Sequence, residues 1–502
     1  MTEPSPSPPE GAPERPQSVW QNWITLAGVI EAAGSLFAFL LLFALDLMGS
    51  GARNPYLGIL CYVVAPGFLF FGAAVALAGA WHERRLRARG QELRPPRLAI
   101  DLSRPRDRRI LLWFSVGGST FLLLTAIGSY QTFAYTESNQ FCGEVCHHVM
   151  GPEYTAYHRS NHARVACVEC HVGAGPAWYF KAKINGMHQL FDIATNRYPR
   201  PIPTPVQNLR PARETCERCH WPQKNSGSIE HVSHRFLSDK ANTPYTTRLL
   251  VHVVGGDPAQ GPVVGIHWHV NPANRVEYYA TDPQRQVIVW VRKTDAAGAT
   301  TTYRTADFKG EPDPGKVRVM DCIDCHNRPS HRYESPNDAV DEALYLGRID
   351  PALPEVKRTV VDLLTRDYAT ADAAVASMSA ALRARYGDEP RVRQAAAAAE
   401  AIYRANFFPL MKVDWSRYPD NIGHLDSPGC FRCHDGKHVA DKGARKMPAT
   451  DCASCHTLLA QGAGAELARV APEGMAFRHP STDIEGTGLL CADCHNGKNQ
   501  EN

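Results

Sequence analysis

Three long apolar stretches dominate the first quarter of the chain. Residues 23–48 are almost wholly apolar, with Glu31 and Asp46 as their only charges, and residues 56–81 and 110–135 carry no charge at all. Each is 26 residues long, above the roughly 20 that carry a helix across a bilayer. The pattern predicts three transmembrane helices. Residues 1–20 are rich in Pro, Ser and Glu without apolar periodicity and read as a disordered tail.

Beyond Tyr135 the pattern changes. Between residues 245 and 306, RLLVHVV, VVGIHWHV, RVEYYAT and QVIVWV are β-branched and aromatic, separated by GGDP, NPAN and TDPQ. That predicts hairpin-connected strands in a small β-rich insertion. Between 337 and 405, PEVKRTVVDLLTRDY and RQAAAAAEAIYRA read as helices. The expected organisation is a cytoplasmic tail (1–20), a three-helix anchor (21–136) with a basic loop (82–109), and a first domain with three cysteine pairs (137–225). A β-rich insertion (226–320), a segment with the fourth pair and helices (321–408), and a C-terminal domain with three more pairs (409–502) follow.

Charge orients the helices. Residues 82–109 hold ten arginines against four acids, and arginine-rich short loops stay in the cytoplasm. The N-terminus is then cytoplasmic too, and everything past Tyr135 is extracytoplasmic, in the periplasm of a cell with an outer membrane. The whole chain is only +3, so its basicity is concentrated in that loop and argues for no nucleic-acid partner. Glu31, an ionisable group in an apolar run, is either functional or a helix-pairing residue. Cys61 reads as a small buried side chain.

Of the 15 cysteines, the other fourteen form seven pairs, each followed at once by histidine. Six are C-x-x-C-H: Cys167, Cys170 and His171; Cys216, Cys219 and His220; Cys322, Cys325 and His326; Cys430, Cys433 and His434; Cys452, Cys455 and His456; Cys491, Cys494 and His495. In this motif two thiols form thioethers with the haem vinyl groups and the histidine takes one axial position on the iron. A lone copy also fits a zinc half-site or a redox dithiol; six copies point to haem. The first pair, Cys142 and Cys146 before His147, has three intervening residues, and is either a seventh haem tether or a disulfide. The spacing thus predicts seven covalently bound c-type haems.

No histidine lies within the three apolar runs, so the distal ligands must come from the extracytoplasmic part. His162, His188, His234, His331, His424, His438 and His479 are the favoured set, each flanking a motif, and Met150 is a further axial candidate near the first. His267 and His269, in the HWH of residues 266–270, point the same way if that segment is a strand. They are either ligands or polar strand residues.

FCGEVCHHVM, YHRSNHARVACVECHVG, KAKINGMHQL and TCERCH, over residues 128–225, resemble the NapC/NirT family of membrane-anchored multihaem cytochromes c. The resemblance implies oxidation of membrane quinol and electron delivery to a periplasmic acceptor. The family's quinol-site lysine corresponds to Lys183, with Lys181 next, and Glu144 stands beside the first motif. The chain departs from the family in its widened first spacer, in having Met150 three residues after His147 rather than two, and in three spans and seven motifs where one span and four or five motifs are typical. The fold expected is a mostly α and irregular, haem-packed cytochrome with three transmembrane helices and a small β-rich insertion. A relay subunit of a larger membrane complex, without its own quinol site, is the alternative function. A terminal reductase is a third, opposed by the histidine that closes every motif.

Overall fold

The computed structural model describes residues 22–48, 64–90, 102–145, 147–173, 176–206, 210–221, 227–255, 264–442, 445–447, 452–480 and 490–498. The 1–20 tail, Cys61, Cys146 and residues 91–101 of the basic loop lie outside them, as do the side chains of His147 and His148.

The described residues form two compact units. One comprises the chain up to Ala134 together with Ala174–Lys183. Its helices α1 (Trp23–Met48), α2 (Ala65–Ala88) and α3 (Pro105–Thr136) are long and apolar enough to cross a membrane. The loop expected over 82–109 is shorter than its charge suggests, because α2 continues to Ala88 and α3 begins at Pro105. Arginine, leucine and alanine are strong helix formers, and Arg85 and Arg87 suit the negative end of the α2 dipole.

Small residues bring α1 and α2 together. A Cβ on Gly28 would stand 2.3 Å from the Ala76 backbone, one on Gly72 2.6 Å from Ala32, and one on Gly79 2.5 Å from Thr25. Backbones this close are the usual way apolar helices associate where no hydrophobic drive separates helix from lipid. Asn22 and Thr25 add polar links, Asn22 Nδ2 donating to the Gly79 carbonyl at 3.3 Å and Thr25 Oγ1 to that of Ala76 at 3.3 Å.

The second unit comprises Tyr135–Gly173 and Ile184–Asn502. It opens with a π-helical turn (Phe141–Val145) and α4 (His147–Arg159); α5 (Pro176–Ala194) runs from the first unit into it. Strands β1 (Ile229–Phe236) and β2 (Pro244–Val251) form a hairpin, and β3 (Arg275–Ala280), β4 (Ile288–Thr294), β5 (Thr300–Arg304) and β6 (Arg318–Val319) follow. The helices α6 (Pro336–Tyr345), α7 (Val356–Leu364), α8 (Ala371–Tyr386) and α9 (Pro390–Asn406) come next. The strands β7 (Val439–Ala440) and β8 (His456–Gly462) lie between the last motifs.

Both sheets are antiparallel and both reach beyond the expected insertion. One has the order β1-β2-β8 and the other β6-β3-β4-β5-β7. Each therefore borrows a strand from the C-terminal cysteine-rich segment. The helices α6–α9 carry a side-chain core of their own, with Val340, Ile349, Val356, Val360, Leu382, Val392 and Ala395 wholly buried. Ser335 and Thr370 cap α6 and α8 by accepting backbone N–H bonds from Asp338 and Ala373. Val149 and Ala156 of α4 join this core, so the helix after the first motif packs on it.

Candidate functional site

The motifs fold as single turns. The backbone N–H of His220 donates to the Cys216 carbonyl at 2.8 Å, that of His326 to Cys322 at 2.8 Å, and that of His495 to Cys491 at 2.7 Å. Four residues is the α-helical repeat, so the first cysteine and the histidine stand one turn apart on the same face. In the first motif they are five apart, the π-helical repeat, and Phe141–Val145 is a π-helical turn. That turn covers Cys142, Gly143 and Glu144 of the motif. Gly143 sits within that turn, where a Cβ would come 2.2 Å from the Tyr154 ring.

Each of the six described motif histidines faces one other histidine. Ring centroids are 5.9 Å apart for His162 and His220, 6.1 Å for His171 and His331, and 6.4 Å for His267 and His326. They are 5.9 Å apart for His269 and His434, 6.2 Å for His424 and His456, and 6.0 Å for His479 and His495. Two metal–imidazole bonds of about 2 Å each, plus the distance from each nitrogen to its ring centre, put the centroids about 6 Å apart. Aromatic contacts scatter over about 4.5–7 Å, so the uniform gap is the informative feature. The donor chemistry fits a haem iron held between two imidazoles.

Other features agree. Both cysteines of the second, third, fourth, fifth and seventh pairs are free thiols. Among the described residues no three His, Cys, Asp or Glu side chains converge as a zinc site would need. Burial lowers the pKa of His171, His267, His269, His326, His424 and His456, and takes His331 and His495 down to about 4. Neutral imidazole is the form that binds a metal. The Nδ1–H groups of His162, His331 and His269 donate to the carbonyls of Pro329, Glu153 and Ile266 at 3.1, 3.0 and 2.8 Å. A carbonyl only accepts, so these bonds fix the tautomer and leave Nε2 for the iron.

Of the favoured distal set, His162, His331, His424 and His479 stand opposite a motif histidine. His188 is on α5, 3.2 Å from the Asp192 carboxylate. His234 stacks on Tyr345 at 3.8 Å and shares a hydrogen bond with Thr246. His438 is wholly buried, with Nδ1 on Asp435 and Nε2 on the Ile288 carbonyl. The two remaining places belong to His267 and His269. Their segment, Ile266–Val270, is a 3-10 turn rather than a strand, entered at Gly265 with φ 77°. The glycine before IHWH and the Asn271–Pro272 after it are the sequence signals for that turn.

Near the first motif, Glu144 accepts from Gln140 Nε2 at 2.9 Å. It also bonds the Tyr154 phenol, whose pKa is raised by burial and then by that carboxylate. Met150 lies on α4. Lys181 and Lys183 are on α5, their amines 5.1 and 5.0 Å from the rings of Trp178 and Tyr179. Tyr179 in turn stacks with Phe133 near the end of α3 at 5.9 Å.

Comparison with known proteins agrees with this chemistry. The N-terminal region of the NapC/NirT cytochrome c family matches residues 104–201. The cytochrome c-type protein ImcH of Geobacter sulfurreducens is 40% identical over 494 residues, spanning 94% of this chain and 95% of that one. No solved structure matches. Covalent haem and membrane-linked electron transfer come with that kinship, and the chain belongs to the NapC/NirT-type multihaem cytochromes c.

Proposed function

We propose that the chain oxidises membrane quinol and passes the electrons through seven covalently bound haems to an extracytoplasmic acceptor. One observation carries the reading: six motif histidines each face a second histidine across an iron-sized gap. Iron ligated on both sides has no open position for a substrate, which favours electron transfer over terminal reduction. Three apolar helices and the arginine-rich segment between the second and third support an inner-membrane anchor with the haems outside. The seventh haem, on Cys142 and Cys146, is supported by the π-helical turn that takes up its extra residue.

Haem supplies one-electron redox chemistry; the chain must supply proton acceptors, because each quinol releases two protons with its two electrons. Glu144, held by Gln140 and Tyr154, and Lys183 or Lys181 are the candidates. Lys183→Ala and Glu144→Gln are expected to slow haem reduction by a quinol analogue by about 100-fold, the scale of a lost proton-transfer group, with the haem count unchanged. Unaltered reduction in both variants would exclude this site. Reduction of the isolated wild-type chain by the analogue separates this reading from that of a relay subunit fed by another protein.

A further inference from the structure

The fourth and fifth motifs are joined twice, once at the histidines that face them and once between their cysteines. On the distal side, His267 and His269 share one 3-10 turn, facing His326 of the fourth motif and His434 of the fifth. On the tether side, the residues between the cysteines meet. Arg432, inside Cys430–Cys433, donates Nη2 to the carbonyl of Asp324, inside Cys322–Cys325, at 2.7 Å. Its Nε and Nη1 reach the carbonyls of Gly429 and Arg285, each at 2.9 Å.

Asp324 is the hub of that junction. It is 3% exposed, and its carboxylate accepts from the Tyr278 hydroxyl at 2.7 Å, Arg318 Nε at 2.8 Å, Arg285 Nη1 at 3.3 Å and the Asp321 N–H at 2.7 Å. Asn421 Nδ2 adds a bond to its carbonyl at 3.0 Å. Tyr278 and Arg318 belong to β3 and β6, and Cys433 is part of the core of that same sheet. A buried carboxylate bonded by several donors rigidifies what it joins. The second and third motifs are also linked, Arg218 Nη1 donating to the Glu169 carboxylate at 2.8 Å, but there both side chains are half exposed, and an exposed ion pair holds its partners weakly.

We propose that the fourth and fifth haems form one electronically coupled pair, with Arg432 and Asp324 as the positioning residues that hold it. The inference rests on the bis-histidine reading above. With haem held at both motifs, an electron would pass from the ferrous to the ferric group, or back, with no proton or other reactant. Charge on one haem opposes a second electron on the other, because low-dielectric surroundings screen them weakly. The two reductions therefore separate in potential.

Electron paramagnetic resonance of the fully loaded protein in nanodiscs, taken through a redox titration, tests this. Oxidised wild type should contain a signal from interacting low-spin haems that disappears when the pair takes its first electron. Arg432→Met should replace that signal by two isolated low-spin haems and narrow the separation of their reduction waves, with seven haems still bound. If Arg432→Met loses a haem, Asp324→Asn, which keeps the carbonyl that Arg432 holds, should produce the same change in smaller degree. Wild-type haems that are all low-spin and non-interacting, or an interacting signal that survives in the variants, overturns the pairing and leaves the ligation standing. High-spin signals from more than one haem in the wild type overturn both.

Discussion

His267→Ala is expected to convert one low-spin haem into a high-spin one, His269→Ala a second, and the double variant both, with the haem count unchanged. The thioethers form at the motif cysteines, so the cofactor stays when its distal ligand goes. What changes is the iron, left with one imidazole and an open position. Electron delivery to an acceptor should fall by more than about tenfold, the lower end of what losing a mere outer partner of a metal ligand costs. Optical spectra of the oxidised protein read the first effect and acceptor reduction the second. His438→Ala is the control. Its ring nitrogens are held by Asp435 and Ile288, so it should unsettle the packing between β4 and the fifth motif without creating high-spin haem. A high-spin signal from His438→Ala, and none from His267→Ala, would refute the ligand pairing.

The motif turns were legible because each is contiguous: two thiols and an imidazole within one turn need no tertiary information. The histidines that face them were only partly so. His331 follows the fourth motif closely, yet it faces His171 of the second; nearness along the chain identified it as a candidate without revealing its partner. His267 and His269 were harder still. Alternation of apolar and polar residues in GIHWHV suits a strand, and a strand would aim both rings the same way. In a 3-10 turn, with three residues per turn, rings two apart point in different directions, and these two serve different motifs. The β segment also hid its extent. β8 begins at His456, the last residue of a haem motif, so the cysteine pattern masked a strand. The three apolar helices were the most legible part, since helix length and charge are local properties.

Lys357→Met should cost the protein about 3–5 kcal/mol, the usual penalty for leaving one partner of a buried ion pair alone. Lys357 is 6% exposed and Asp341 2%, and the Lys357 amine lies 2.7 Å from the Asp341 carboxylate. Burial pushes the Asp341 carboxyl up and the Lys357 amine down, while each charge pulls the other back toward ionisation. The same amine donates to the Phe236 carbonyl, and Asp341 accepts from the Phe236 N–H at 3.0 Å. The pair thus clips the end of β1 to α6 and α7. Asn242, in the turn between β1 and β2, adds bonds from Nδ2 to the carbonyls of Pro351 and Leu353 at 2.9 and 2.8 Å. β1 pairs with β2, β2 with β8, and β8 starts at the sixth motif's histidine. A helical core without a cysteine motif therefore braces the sixth motif through three strands. Arg235, 3.8 Å from Asp341, compensates part of the loss and sets the expectation at the lower end of the range. Replacing both partners, Asp341→Leu with Lys357→Met, should recover most of it, because apolar groups of similar size leave no charge behind. Denaturant unfolding followed by the helical circular dichroism signal measures both. A single variant within about 1 kcal/mol of wild type would show that the clip contributes no more than an exposed ion pair.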